Sequence, residues 1–436
     1  MLTPPSGNAG PGLPGVDSSG RNTLAVLGAF CFFLSAVEFL VPKPLPFMRI
    51  GLANMPLLLG LNVLGARDFF LLALLKVLGQ ALLGGTFLSF VFLFSLAGTF
   101  ASALTMYALR FVSGGRAGGK RLGFVGIGCA GAMVSNGVQL LLARHFVFGE
   151  AVRYLAPPFL AAGFVAGIVL GAVCERFCRR SLWYASLSGS AAAGFTARGS
   201  DAAEPEPGAP EATAGEKPAR ASPGAERRLR RGRFWDGLFD AEALFVAGLL
   251  MALVFLLDRS LPGLLARFLF FSLLVWVAGG KTGPAATAAF ILGIVFFNLL
   301  VPHGRVLFEL GPLRVTQGAL LSGLERAVTL AGLTALSRVC VKGDLRLPGK
   351  PGALLAEALR TLELMRKKIP SLRKGRLLSG IDEMMLELDA RESCAPRIPP
   401  AKNRRGLKGV LLPAALVALA ALAGLAGLVP AFFLPA

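Results

Sequence analysis

Residues 185–225 read ASLSGSAAAGFTARGSDAAEPEPGAPEATAGEKPARASPGA, and this stretch decides how the chain is organised. It is rich in Ala, Gly, Pro and Glu and has almost no large apolar side chain, so it does not bury enough surface to fold alone. Apolar runs lie on both sides of it. The sequence therefore predicts two membrane blocks joined by a disordered cytoplasmic linker, residues 181–234. That linker ends in a basic cluster made of Arg227, Arg228, Arg230, Arg231 and Arg233.

The composition is that of an integral membrane protein. Hydrophobic residues make up 54% of the chain and charged residues 16%, with a mean hydropathy of +0.66; in soluble domains about a quarter of residues are charged. Apolar runs such as residues 23–41 and 409–429 are long enough to cross a hydrocarbon layer of about 30 Å as helices. We expect an all-α protein with about eleven transmembrane helices in two bundles, six plus five.

The net charge of +20 could indicate nucleic acid as a partner. The basic residues, however, lie between apolar runs and not in a patch interleaved with aromatic side chains. They fit the excess of Lys and Arg on the cytoplasmic side of membrane proteins. This bias predicts a multi-pass protein of the cell's inner (plasma) membrane with a cytoplasmic N-terminus. Residues 1–22 have no positive n-region and are interpreted as a disordered tail, not a cleaved signal.

The first block, residues 23–180, is expected to contain six membrane spans, and the second block, residues 235–436, five. The expected spans are 23–41, 49–64, 69–84, 87–111, 122–146 and 154–173 in the first block, then 241–257, 261–279, 284–301, 318–341 and 409–429 in the second. The polar interval 342–408 of the second block is predicted to be cytoplasmic. It repeats apolar residues every three or four positions over 351–368 and 375–390, which predicts two amphipathic helices.

Polar residues within the spans of the first block are its main functional signal, because an ionisable group at bilayer depth costs at least about 2.5–3.5 kcal/mol. The candidate set is Glu38, Arg49, Asn54, Lys76, Gln80, Asn136 and Gln139. We predict that these residues line one substrate-binding pocket, whose mixed charge suits a zwitterion or a polar ring system. The alternative is that Glu38 and Lys76 pair or snorkel while the amides bond neighbouring helices.

Small residues at four-residue spacing predict close helix contacts. Ala25 and Ala29 share one face of the first helix, and Gly163, Gly167 and Gly171 form a stripe on the sixth. Such stripes mostly serve packing within one domain. The alternative is that these stripes contact a separate partner protein.

The segment PFMRIGLANMPLLLGLNVLGARDFFLLALLKVLGQALLGGTFLS, residues 46–89, together with GAMVSNGVQLL, residues 131–141, resembles the Gx transporter family. Members of this family often carry the label heptaprenyl diphosphate synthase component I. The resemblance implies a six-helix protein like the S components of energy-coupling-factor transporters, which capture a small molecule from outside. It also implies that Ala25 and Ala29 match the Ala-xxx-Ala contact by which S components dock on their transmembrane partner.

The order of the second block, with four spans, cytoplasmic amphipathic helices and a closing span, resembles the transmembrane T component of the same transporters. The most similar stretch is LFELGPLRVTQGALLSGLERAVTLAGL, residues 307–333. The resemblance implies coupling helices that transmit movement from two nucleotide-binding ATPase subunits. The Ala-Arg-Gly tripeptide of that family is absent from both amphipathic helices, and Arg373, Lys374 and Arg376 are the candidate coupling residues in its place.

No catalytic machinery is predicted. The chain has no GxxxxGK[ST] phosphate loop, so ATP hydrolysis would come from another chain. It has no Asp-Asp-xx-Asp cluster to hold magnesium for a prenyl diphosphate. Its six cysteines form no CxxC pair and it has two histidines, so neither a metal site nor a cofactor is indicated. We expect a protein that is not an enzyme.

Three functions remain open at this point. The first is a transporter subunit that takes up a small molecule with separate ATPase subunits, the linker keeping both blocks at high effective concentration. The second is a membrane accessory subunit of heptaprenyl diphosphate synthase. The third is a structural anchor whose basic cytoplasmic surface recruits lipids or a soluble protein.

Overall fold

The fold is taken from a computed structural model. It describes residues 18–40, 51–114, 122–187, 239–257, 260–280, 283–310, 313–342, 345, 349–368, 377–392, 413 and 415. Arg49, the predicted linker from residue 188 onward, the candidate coupling residues Arg373, Lys374 and Arg376, and almost all of the predicted closing span lie outside these ranges.

The first block consists of helices that follow the predicted order. They are α1 Ser18–Leu40, α2 Met55–Val63, α3 Ala66–Gly84, α4 Phe90–Gly114, α5 Phe124–Ala143, α6 Val152–Arg180 and α7 Leu182–Leu187. Helix α1 begins at Ser18, inside the stretch interpreted as a tail. Helix α7 falls inside the stretch interpreted as a linker, so the helical structure of this block continues past its last predicted span.

The second predicted span is much shorter than expected. Helix α2 has 9 residues, fewer than half of the roughly 20 needed to cross a bilayer. The chain enters it through Gly51, whose φ of 86° is a left-handed conformation open mainly to glycine, and a single 3-10 turn, Leu52–Asn54. Pro56 stands at the start of α2, where its missing N–H costs nothing. These two residues fix where the helix begins.

The second block contains α8 Ala241–Leu257, α9 Leu261–Val277, α10 Pro284–Leu299, α11 Gln317–Cys340, α12 Gly349–Lys368 and α13 Leu377–Glu392. Helices α12 and α13 correspond to the two predicted amphipathic helices. The described residues are mainly helical, consistent with the expected all-α class, but strands β1 Val306–Leu310 and β2 Leu313–Thr316 form an antiparallel hairpin between α10 and α11. Gly311 and Pro312, two turn-forming residues, separate these β-branched and aromatic stretches.

Among the described residues, three helical stretches are long and apolar enough to cross a membrane: Phe90–Val112, Phe124–Arg180 and Gln317–Cys340. Shorter apolar helices are Thr23–Glu38, Leu52–Val63, Ala241–Leu257, Leu261–Val277 and Pro284–Leu299. The chain is thus a helical membrane protein. The total of eleven spans stays a prediction.

The glycine stripe of α6 packs against α5 within the first block. A Cβ added to Gly171 would lie 2.4 Å from Val125 Cα, and one added to Gly167 would lie 2.7 Å from Cys129 Cα. Backbones this close leave no room for a side chain. In return, the two helices gain van der Waals attraction along their shared length. The structure therefore shows the packing alternative for this stripe.

The two blocks meet where α11 and the last residues of α10, which include Asn298, contact the first block. Leu88 N, in the turn between α3 and α4, donates to Ser337 Oγ at 3.1 Å. About three helical turns away on α11, Arg326 Nη1 donates to Asn298 Oδ1 at 3.1 Å, and Asn298 Nδ2 donates to Val147 O at 3.3 Å. Buried polar groups that bond across the boundary fix the register of one block against the other.

We expect Gly171→Ala to lower the stability of the first block by about 1–3 kcal/mol, because the new methyl group would overlap backbone atoms that cannot move independently. The matched control is Gly137→Ala on α5, where an added Cβ has nothing within 4 Å. That change should be neutral or stabilise by up to about 1 kcal/mol. Unfolding in a denaturing-detergent titration measures both, and equal midpoints would contradict the α5–α6 packing.

Candidate functional site

One cavity in the first block brings together most of the predicted pocket residues. Its lining includes Glu38, Asn54, Lys76, Gln80, Asn136 and Gln139. These residues come from α1, the start of α2, α3 and α5, and α4 and α6 complete the wall. Arg49, the remaining predicted pocket residue, lies outside the described residues.

Lys76 is the buried cation of the cavity, with 5% of its surface exposed. Its Nζ donates to Asn54 Oδ1 and, at 3.4 Å, to Thr99 Oγ1. Both acceptors are neutral oxygen atoms that solvate the ammonium group. The ammonium group thus lies in the wall of the cavity.

Glu38 is the buried anion of the cavity, with 4% of its surface exposed, and it lies near the end of α1. One carboxylate oxygen, Oε1, accepts a hydrogen bond from Gly51 N at 3.2 Å. The left-handed conformation of Gly51 turns its N–H toward α1 just before the chain enters α2. Gly51, in its left-handed conformation, thus supplies a hydrogen-bond donor to the anion of the cavity.

Gln80 extends the polar lining from Lys76 by one helical turn along α3. Its Nε2 donates to Ser35 Oγ at 2.6 Å, and Ser35 Oγ in turn donates to Cys31 O at 2.7 Å. Ser95 Oγ approaches Gln80 Oε1 at 3.5 Å. A chain of polar groups therefore links α1, α3 and α4 around the cavity.

The amides on α5 form the opposite wall. Asn136 Nδ2 donates to Phe159 O of α6 at 3.0 Å, and Gln139 Nε2 donates to Ser135 Oγ at 3.1 Å. Glycines make room for both amides, since an added Cβ would lie 2.0 Å from Asn136 Nδ2 at Gly163 and 2.8 Å from Gln139 Nε2 at Gly98. Gly163 thus serves the cavity as well as helix packing.

Sequence reasoning missed the hydroxyl groups of this site. Ser95, Thr99 and Ser135 line the cavity, and Ser35 bonds Gln80 beside it. Hydroxyl residues are common in membrane helices, where they also bond their own backbone. The one signal that could have found two of them is the four-residue spacing of Ser95 and Thr99, which places both on the same face of α4.

The cavity has a volume of about 50 Å³. This is room for a few water molecules and well below the roughly 300–1,000 Å³ of typical sites for drug-sized ligands. In this conformation the cavity is therefore contracted. Within the described ranges, no three His, Cys, Asp or Glu side chains lie together as a metal site would require.

The predicted contact helix, α1, lies against the amphipathic helix α12 of the second block. Ala25 and Ala29 are fully buried, as is Ala358 of α12. A Cβ added to Gly28, which lies between the two alanines in sequence, would be 3.3 Å from Ala358 Cβ. Small residues on both helices thus lie in contact at this position.

Comparisons with known proteins give two family matches. Residues 27–177 match a family described as Heptaprenyl diphosphate synthase component I, and residues 242–343 match a domain of unknown function, DUF8519. The first match agrees with the resemblance noted for this block. No curated protein and no solved structure matches the chain.

We expect Lys76→Met to reduce binding of the natural ligand by roughly tenfold or more, because one charge-assisted hydrogen bond contributes about 1.5–3 kcal/mol. Lys342→Met is the matched control. Lys342 is also a buried lysine, but its Nζ donates at 2.8 Å to Phe239 O in the second block.

Both variants would be purified from the native membrane, and the ligand that remains bound would be counted by native mass spectrometry. Folding is checked by thermal unfolding of each variant. Full ligand retention in a folded Lys76→Met protein would show that this cavity is not the binding site.

Proposed function

We propose that this chain is the membrane subunit of an uptake system of the energy-coupling-factor type. The first block binds a small polar molecule in the cavity around Lys76. The second block links this block to separate ATPase subunits. The observation that carries the proposal is the cavity itself, in which charged and amide side chains from α1, α3, α5 and the turn before α2 converge inside a membrane domain.

The convergence of these groups favours binding over a structural role. Each buried charge or amide in a bilayer must be bonded, and apolar residues would pack the same helices at lower cost. Here the polar side chains surround a shared space that also contains flat glycine surfaces, such as Gly163 and Gly167. Such a space suits a ligand with both donor and acceptor groups, while the opposite charges of Glu38 and Lys76 suit a zwitterion.

The cavity lies near one end of the first bundle. Its charged and amide side chains come from the end of α1, the turn before α2 and the later parts of α3 and α5. In an up-and-down bundle these positions share one side, opposite the N-terminus of α1 and the C-terminus of α6. The charge bias of the sequence predicts that this side faces outward, which is where an uptake protein collects its substrate.

The second block supplies an element suited to coupling. Helix α12 buries Leu355, Ala358 and Met365. Its opposite face exposes Glu357, Arg360, Glu363 and Arg366. Charged side chains need water, so the part of α1 that α12 covers lies at the membrane boundary in this arrangement. A force on the exposed face of α12 would be delivered directly to α1, whose far end carries Glu38.

A second candidate function is an accessory subunit of heptaprenyl diphosphate synthase. The description of the family that matches residues 27–177 favours it. In that case the cytoplasmic helices α12 and α13 would receive a soluble synthase subunit in place of ATPases. The two functions predict different partners on the same surface.

Native mass spectrometry of the complex, released gently from its own membrane, tests the two functions. A pair of nucleotide-binding subunits and a retained polar small molecule are expected for the transporter. A prenyl synthase subunit without ATPases would replace the proposal with the accessory role. A chain without partners or ligand would leave a structural anchor as the function.

Ala358→Leu should uncouple the two blocks, because the larger side chain would separate α12 from Gly28 of α1. The matched control is Ala356→Leu on the same helix, since Ala356 is exposed. We expect the first variant to lose most of the ATP hydrolysis of the purified complex while its bound ligand remains. Equal ATP hydrolysis by both variants would contradict a coupling role for the contact between α1 and α12.

The candidate coupling residues give a separate prediction. Replacing Arg373, Lys374 and Arg376 together by Gln should abolish stimulation of ATP hydrolysis without loss of ligand binding, because a basic element on the cytoplasmic face would bind acidic groups of the ATPases. If the triple variant stimulates ATP hydrolysis as strongly as the unaltered chain, these residues are not needed for coupling.

A further inference from the structure

Helix α7 is a short helical segment that follows α6 and packs against α13 of the second block. Ser181 separates the two helices with an extended backbone, φ −78° and ψ 121°. This break turns the chain sideways out of the axis of α6. The residues after the break therefore meet a helix that is about 200 positions away in sequence.

Asp382 of α13 is the polar centre of this contact. Its Oδ2 accepts from Leu182 N at 2.9 Å, and its Oδ1 accepts from Trp183 N at 3.1 Å and from the Ser181 hydroxyl. The Ser181 hydroxyl accepts in turn from Tyr184 N at 2.9 Å. The first N–H groups of α7, which a helix leaves without internal partners, are all bonded, and two of them bond a carboxylate.

Apolar burial accompanies these hydrogen bonds. Trp183 is 1% exposed and Tyr184 8% exposed, although both follow the last residue of a long membrane helix. On α13, Met384 and Met385, two and three residues after Asp382, are buried as well. All four side chains belong to the same apolar cluster.

The helix itself depends on this contact. Helix α7 has 6 residues, and isolated helices below roughly 12 residues are marginal in water. The residues of α7 therefore gain their helical structure from tertiary contacts, among them the contact with α13. In the other direction, α7 is joined to α6 through Ser181 and through a hydrogen bond between the side chains of Tyr184 and Cys178. Helix α6 in turn contributes Gly163, Gly167 and Leu170 to the lining of the cavity.

We propose that α7 is a docking element that fastens the cavity-lining helix α6 to α13, with Asp382 as its positioning residue. Two paths then connect the amphipathic helices to the cavity. Helix α12 reaches it through α1, and helix α13 reaches it through α7 and α6. The docking contact is argued from its hydrogen bonds and buried side chains alone. Its use in coupling rests on the proposed transport function.

Hydrogen–deuterium exchange on the full chain in lipid nanodiscs tests the docking without any partner or ligand. The variants are Asp382→Ala, Asp382→Glu as the conservative replacement, and Glu383→Ala as the control. Glu383 is exposed on the same helix and carries the same charge. Loss of the carboxylate should raise exchange in residues 182–187 by roughly tenfold, the effect of losing one helix cap.

The expected pattern has three parts. In Asp382→Ala, exchange rises in residues 182–187 and in the last turns of α6, residues 171–180, while α3 keeps its protection. Asp382→Glu restores most of the protection. Glu383→Ala leaves every segment unchanged. If Asp382→Ala does not fold, Asp382→Asn takes its place, because it removes the charge and keeps the shape.

Two results would overturn the proposal. Unchanged exchange in residues 182–187 of a folded Asp382→Ala protein would show that α7 does not depend on Asp382. A rise confined to residues 182–187, with none in residues 171–180, would show a local cap that does not hold α6. Neither result bears on whether ATPases bind, so failure of the docking and failure of the transport function are distinguishable.

Discussion

The rest of this structure depends on one constraint, namely that a polar group inside a membrane domain must find a bonding partner within the protein. Lys76 meets it with Asn54 and Thr99, and Glu38 meets it with Gly51 N. These bonds tie α1, the entry to α2, α3 and α4 to one another around one point. The cavity is therefore both the binding site that we propose and the polar centre that sets the arrangement of these helices.

The same constraint organises the boundary between the two blocks. Asn298 of α10 bonds Val147 of the first block and accepts from Arg326 of α11, while Ser337 of α11 accepts from Leu88 of the first block. These two separated polar contacts fix the angle and the register of α10 and α11 against the first block. Apolar packing by itself is less directional, and would leave the first block freer to slide or rotate along α11.

Much of this could be predicted from the sequence because membrane helices have a strong local signal. The length of apolar runs located α1, α3, α4, α5 and α6, although α1 begins five residues earlier and α6 ends seven residues later than predicted. The rarity of charge in such runs singled out Glu38 and Lys76. The short α2 and the β1–β2 hairpin were not predicted in this form. The start of α2 depends on a left-handed glycine, and the hairpin depends on strand pairing. The average hydropathy of a stretch of sequence reports neither feature. Asp382 was missed for a different reason: one acidic residue on an amphipathic helix is ordinary, and its partner is far away in the sequence.

The small volume of the cavity and its two links to the amphipathic helices α12 and α13 have a common mechanical consequence. A cavity of about 50 Å³ must enlarge to hold more than water. Its walls on α1 and α6 are the two helices that α12 and α13 hold. Binding a ligand would therefore displace the contacts of α12 or α13, and moving α12 and α13 would change the space for the ligand. By linkage the two effects are equal in free energy, so a partner that moves α12 or α13 would alter the affinity for the ligand as much as the ligand alters the affinity for that partner.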